Sequence, residues 1–371
     1  MKLPKKWLKE YVDLHISNAE FIEKMMWRGF ECAGVEKELS GVEGVVVGRV
    51  LSVIKHENSD HLNVCQVDIG SEVLTIVTGA DNVFDGALVP VAVVGSKLGG
   101  REMAAVNMRG VMSYGMLCSG AELGLTNADY PGSEVHGILI LKEDHPLGQA
   151  IDTALGFDDE IFEFELTPNR PDCISILGMC REAAAALGQS FAEPKIKPVK
   201  GEGNAADYAR VSIENYDLCP RYTARVVKDI VIEPSPAWMQ KKLKSVGMRP
   251  INNIVDITNY VLVEYGHPMH AFDLACISGS HIVVRNAYEN EVVTTLDKKD
   301  RPVTPDMLLI ADDKRGVGIA GVMGGLNSEI TDATKAVLFE SAVFKGSNIR
   351  ATARKLKRSE ERRVGKECRS R

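Results

Sequence analysis

Residues 45–69 read VVVGRVLSVIKHENSDHLNVCQVDI. Two β-branched runs, Val45–Ile54 and Leu62–Ile69, flank a polar turn at Asn58-Ser59-Asp60, the pattern of antiparallel strands joined by a loop. Further runs follow at Leu74–Val77 and Leu88–Val93, with turn residues at Gly70-Ser71, Asp85-Gly86 and Gly99-Gly100. Closely spaced short strands without a long helix predict a small barrel over residues 40–147, and the OB-fold is the commonest such barrel that binds oligonucleotides.

On either side the pattern turns helical. Ser17 and Glu20 form a capping box ahead of Phe21, Ile22, Met25 and Met26, with Gly29 as the stop. Thr167-Pro168-Asn169-Arg170-Pro171-Asp172 is a rigid turn. Asp172 is the expected N-cap of a helix over Cys173–Leu187 that Gly188 ends. The barrel therefore reads as inserted into one domain made of 1–39 and 148–200. After a Lys/Pro/Gly-rich linker at Lys195–Ala206, residues 207–357 form a further α/β domain. There Ser235-Pro236 opens one helix and Asn252/Asn253 another, closed by Gly266. Strands follow at His281–Arg285, Glu291–Thr295, Met307–Ala311, Val317–Val322 and Ala336–Phe339.

With 45% hydrophobic and 26% charged residues, the 371-residue chain has ordinary globular composition. No apolar run approaches the roughly 20 residues of a membrane span. Glu10 and Asp13 interrupt the basic N-terminus before an apolar signal segment forms. Eight scattered cysteines without a C-x-x-C point to a reduced, cytoplasmic protein. Net charge is −7, but residues 354–371 hold nine Lys/Arg against three Asp/Glu, a net of +6, leaving −13 for residues 1–353. An acidic body excludes nucleic-acid binding by bulk charge, so any RNA contact is local.

Four stretches could carry chemistry. His56 to His61 lacks a third soft ligand for a metal and reads as a polar turn, either plain or presenting hydrogen bonds to RNA. Small residues at Gly110, Ser113, Gly115 and Ser119 permit close backbone approach or simply barrel packing. Thr258-Asn259-Tyr260 followed by Gly266-His267-Pro268-Met269-His270 reads as a structural turn or a polar pocket. A zinc site from His267, His270 and Asp273 is the less favoured alternative, because Pro268 breaks helical spacing. Gly318 to Gly325 is rich in glycine but lacks the Lys-Ser/Thr of a P-loop. It is either a tight corner or a pocket floor that Glu340 could face. No nucleophilic triad and no ATP signature is evident.

Together these stretches resemble the β subunit of bacterial phenylalanine–tRNA ligases. The residues that carry the resemblance are Glu57–Leu62, Met108–Ser119, Glu165–Glu182, Asn252–Asp273 and Ala320–Gly325. It implies an α+β multidomain fold: a bipartite N-terminal α/β domain, an inserted OB-like tRNA-binding β-barrel, and an α/β editing domain. It reaches to about Lys357 and corresponds to roughly the first half of such a subunit. The segment 358–371, RSEERRVGKECRSR, departs from the family and reads as an aberrant basic tail.

By resemblance, the chain binds phenylalanine tRNA and hydrolyses tyrosine wrongly attached to it. Aminoacylation, with ATP and Mg2+, would belong to a separate α subunit in an α2β2 assembly, with neither cofactor held by these residues. Thr258, Asn259 and His270 would position ester and water, and Ala320, Gly321 and Glu340 would form the tyrosine pocket. Asn58, Asp60, Arg109 and Ser119 are the expected RNA contacts. The contrasting expectation is a tRNA-binding module with no catalysis.

Overall fold

The computed structural model describes residues 1–357; the basic tail expected over 358–371 lies outside the described residues. The chain divides into two compact units: Val35–Ile161, and Met1–Gly34 together with the chain from Phe162 onward. No helix among the described residues is long and apolar enough to cross a membrane.

In the unit Val35–Ile161, a six-stranded sheet is built around Val42–Lys55. That strand pairs antiparallel with Asn63–Asp68 on one side and Leu88–Leu98 on the other. Val73–Thr78 and Gly115–Leu117 are the ends of the path, and Arg101–Glu102 adds to Leu88–Leu98. Val47, Val50, Cys65, Val67, Ile76, Val89 and Val91 are buried, as alternating β-branched strands dictate. The expected barrel is not closed by strand pairing. Instead, Tyr114 N–H donates to Thr75 O at 2.9 Å and Val77 N–H to Ser113 Oγ at 3.0 Å. Gly115–Leu117 has three residues, too few for a full ladder.

Lys2–Pro4, Glu160–Glu165 and Glu31–Lys37 form a three-stranded sheet in that order, its two longer strands running through the points where the chain passes from one unit to the other. Helices Asn18–Met26 and Ile176–Leu187 share its core, where Phe21 meets Phe162 edge-on at 5.0 Å. Ser17 caps the first helix through Glu20 N–H, as its capping box requires. The second helix starts later than its sequence suggests. Ser175, not Asp172, accepts the N-terminal N–H (from Gly178, 3.0 Å), and Asp172 sits in a preceding 3-10 turn bound to Arg170.

Beside a two-stranded pair, Val292–Thr294 with Asp300–Pro302, two larger sheets complete the other unit. One runs Arg210–Ile213, His281–Asn286, Leu308–Ala311, Gly316–Ile319, Met323–Gly324, its first pair parallel and the rest antiparallel. In the other, Ala336–Val343 is central, with Arg221–Lys228 and His270–Asp273 antiparallel on its flanks. The strand His270–Asp273 lies inside a segment read from sequence as a turn or pocket. Helix Ala237–Ser245 also differs in its cap: Pro236 occupies the cap position, and Ser235 Oγ donates to buried Asp256 at 2.6 Å. Helix Asn253–Tyr265 is capped by Asn252, which accepts from Ile254 and Val255 N–H, and ends at left-handed Gly266.

Helix Asn253–Tyr265 is pinned at its C-terminal half. Trp7 stacks on Tyr260 at 5.3 Å. The buried carboxylate of Glu264 accepts from Tyr260 O–H at 2.8 Å, from Tyr11 O–H and from Trp7 Nε1–H. Lys242 Nζ lies over the Trp7 ring and pairs with Glu10 at 2.6 Å.

Candidate functional site

Strand register creates the site. His270 pairs directly opposite Glu340, so both side chains leave the same face of the three-stranded sheet. Facing them is the corner that joins Gly316–Ile319 to Met323–Gly324. Between lies a cavity of about 510 Å³, whose lining includes His267, His270, Ala320, Gly321, Glu340 and Arg350. The corner needs its small residues. A Cβ on Gly324 would stand 2.4 Å from His270 Cε1, and Gly321 turns at φ +62° against Ile349.

Glu340 is buried at 8% exposure and accepts a hydrogen bond from Tyr222 O–H at 2.8 Å. Burial pushes its carboxyl up to about 7, and the Tyr222 bond offsets part of that rise. Tyr222 is held protonated, raised by burial and then by the neighbouring carboxylate. Burial lowers His270 to about 4, so its imidazole is neutral near pH 7. Its ring packs edge-on against Phe272 at 4.5 Å and meets no hydrogen-bond partner among the described residues. The cavity thus offers a neutral imidazole with both nitrogens available. Beside it stands a carboxyl poised between acid and base, with spare acceptor capacity. Such a pair suits an uncharged ligand carrying a hydroxyl at one end and an ester or water at the other.

Of the residues singled out from sequence for this pocket, His270, Ala320, Gly321 and Glu340 line it together. Thr258 and Asn259 are not among its lining residues. They sit within the helix Asn253–Tyr265, where Thr258 Oγ1 donates to the Val255 carbonyl at 2.7 Å. Arg350, which lines the cavity, and Tyr222, which bonds Glu340, went unnoticed; neither has a local motif, and only the helix Gly346–Lys355 and sheet register bring them in. The zinc alternative is not assembled. Asp273 points away, accepting from Ala275 N–H and Thr334 O–H, while His267 bonds Ser341 Oγ at 2.9 Å. Among the described residues, the one convergent set of potential ligands is Asp172, Cys173 and Glu182, and Arg170 already bonds all three.

In the unit Val35–Ile161, two of the expected RNA contacts hold each other. Asn58 Nδ2 donates to Arg109 O at 3.3 Å, and Arg109 Nη1 donates to Asn58 O at 3.0 Å. His56 orders the turn: its Nδ1 accepts Asn58 N–H, so Nε2 carries the proton and donates to Met108 O at 2.9 Å. Asp60 is exposed at the turn. Ser119 lies elsewhere, its hydroxyl and N–H both donating to Glu122.

Residues 218–367 match the B3/4 domain family model, and residues 45–150 match the putative tRNA binding domain. The chain is 46% identical over 357 residues to the phenylalanine–tRNA ligase β subunit of Moorella thermoacetica, covering 96% of this chain and 44% of that protein. It is 47% identical over 351 residues to the same subunit of Geobacter sulfurreducens, covering 94% and 43%. The chain thus spans somewhat under half the length of these relatives. A solved N-terminal fragment of the phenylalanyl-tRNA synthetase β-subunit from Pyrococcus horikoshii aligns at a TM-score of 0.30 and 16% identity, over 52% of this chain and 58% of that one. That likeness is too low to bear on the fold.

Proposed function

We propose, from the premise that this chain belongs to the phenylalanine–tRNA ligase β-subunit family, that its cavity hydrolyses tyrosine misattached to phenylalanine tRNA. The observation that carries this reading is the buried Glu340 carboxyl on the cavity wall, opposite neutral His270. A synthetic pocket shaped for phenylalanine rejects an added hydroxyl imperfectly, whereas a second pocket with a buried group aimed at that hydroxyl is left unpaired by phenylalanine.

In this mechanism the ring enters over Ala320 and Gly321, and its hydroxyl bonds to Glu340. His270 orients the ester carbonyl or the attacking water; as a neutral imidazole it can donate with one nitrogen and accept with the other. Water adds to the ester carbon, the bond to the ribose oxygen breaks, and the tRNA's own hydroxyls supply proton transfer. Thr258 and Asn259, which do not line the cavity, act as positioning residues in the helix that leads through Gly266 into His270.

Residues 45–150 would hold tRNA through the turn of Asn58 and Asp60, the Arg109 hairpin and Ser119, in an OB-like arrangement. Aminoacylation, with its ATP and Mg2+, would fall to an α subunit in the cytoplasm, as α2β2.

The test is deacylation of pre-charged tyrosyl-tRNA by the 371-residue chain in excess over tRNA. Hydrolysis is expected, and Ala320→Trp should abolish it by filling the cavity. Equal rates with and without the wild-type chain would overturn the reading.

A further inference from the structure

A second constellation lies outside the cavity, on the face of the five-stranded sheet that begins with Arg210–Ile213. The parallel register sets Arg210 beside His281, so Ser212, two residues on, shares the face of His281. Ser212 Oγ lies 2.8 Å from His281 Nε2, and His281 Nδ1 lies 2.6 Å from Asp313 Oδ1. With Nδ1–H donated to the carboxylate, Nε2 carries the lone pair and Ser212 donates its hydroxyl proton to it. That is the hydrogen-bond order of a nucleophile, a base and an orienting acid.

The arrangement is held in place by its surroundings. Asp313 belongs to a turn fixed by buried Asp312, whose carboxylate accepts from the N–H groups of Ser278, Lys314 and Arg315 at 2.8–3.0 Å. Gly279 makes room for the acid: at φ +69° it has no Cβ, and one would stand 1.9 Å from Asp313 Oδ2. Ser280, immediately before His281, is also left-handed at φ +47°, a conformation that side chains rarely adopt. Arg210 Nη2 lies 3.6 Å from Asp313 Oδ2. Arg210–Ile213 is the edge strand of its sheet. Glu214 N–H bonds inward to Val284 O, so strand alternation turns the N–H of Ile213, next to Ser212, to the open edge. That donor is available to a developing oxyanion.

The geometry points to a second nucleophilic centre, Ser212–His281–Asp313, acting on small activated carboxylic esters. Ser212 Oγ adds to the ester carbonyl as its proton passes to His281 Nε2. The carbonyl–oxygen bond breaks, and the leaving alcohol or phenol takes that proton. Water, deprotonated by His281, then attacks the acyl-serine, releasing the carboxylic acid and restoring Ser212. Ser212 is exposed, so little binding energy is available and a good leaving group is required.

The probes are p-nitrophenyl acetate and an alkyl fluorophosphonate, the latter forming a Ser212 Oγ–P bond with loss of fluoride and a proton. After brief exposure of the whole chain, peptide mass spectrometry should place the acetyl and phosphonyl groups on Ser212. Ser212→Ala should lose both adducts, and urea-unfolded chain should not be labelled. His281→Gln should slow labelling by roughly a hundredfold, the usual contribution of a positioned base. Asp313→Asn should slow it at least about tenfold by releasing the tautomer. Ser212→Cys, with a nucleophile retained, should still be acylated. Absence of label at Ser212 in the folded chain would overturn the assignment, as would His281→Gln labelling at the wild-type rate.

Discussion

Glu340 and His270 are neighbours on one sheet face, and burial moves their proton affinities in opposite senses. Glu340 rises from 4.5 to about 7, so the folded state holds a proton that the unfolded chain releases. Its contribution to stability is complete below about pH 4.5 and falls as pH rises to about 7, by roughly 3 kcal/mol. His270, lowered from 6.5 to about 4, does the reverse: stability is lost as pH falls from about 6.5 to 4. Glu340→Gln should therefore gain stability relative to wild type between pH 5 and pH 8, read by urea unfolding at each pH. A difference independent of pH would contradict the buried-carboxyl reading. At Gly324 the argument is steric. Gly324→Ala places a Cβ on the His270 ring and should cut deacylation while leaving Tm within a few degrees. Unchanged deacylation would show that His270 can move aside without consequence. The sequence already showed Glu340 at a strand end near a glycine run; Tyr222 was hidden because its partner is 118 positions away.

At the scale of elements, local chemistry was readable where a helix announces its own ends. Ser17, Asn252, Gly188 and Gly266 cap or close helices where the sequence places them. Competition between neighbouring caps was not readable: Ser175 prevails over Asp172 because Arg170 already engages the aspartate. Ser175→Ala should cost about 1 kcal/mol of stability, and Asp172→Ala clearly less, by chemical denaturation. The reverse order would return the cap to Asp172. Short strands such as His270–Asp273 were also illegible, since four residues after a proline carry no periodicity and acquire a strand's shape only by pairing with Ala336–Val343. The pin at Glu264 depends on residues more than 250 positions apart. Glu264→Leu leaves the Tyr260, Tyr11 and Trp7 donors without their acceptor. It should destabilise this unit by about 1–3 kcal/mol, and no change in unfolding midpoint would contradict that role.

At the scale of the whole molecule, the acidic balance of residues 1–353 limits how RNA can be held. Arg109 spends part of its guanidinium on Asn58, which leaves hydrogen bonding and shape ahead of phosphate charge. Binding of tRNA by the chain should weaken shallowly with salt, with a log–log slope of magnitude below about 3. A slope like that of a protein contacting many phosphates would contradict the local-contact reading. The alternation of strand-rich and helical stretches was legible because periodicity is local. The open ladder was not, because it depends on where a three-residue strand stops. The central claim is that Glu340 selects tyrosine by its hydroxyl. Its most direct test is the single-turnover rate of Glu340→Ala against wild type on tyrosyl- and phenylalanyl-tRNA. Loss of a charge-assisted hydrogen bond worth roughly 1.5–3 kcal/mol predicts about tenfold to a hundredfold slower tyrosyl-tRNA hydrolysis, with phenylalanyl-tRNA hydrolysis unchanged or faster. Equal slowing on both substrates would show that Glu340 supports the fold or the water, and would contradict the account.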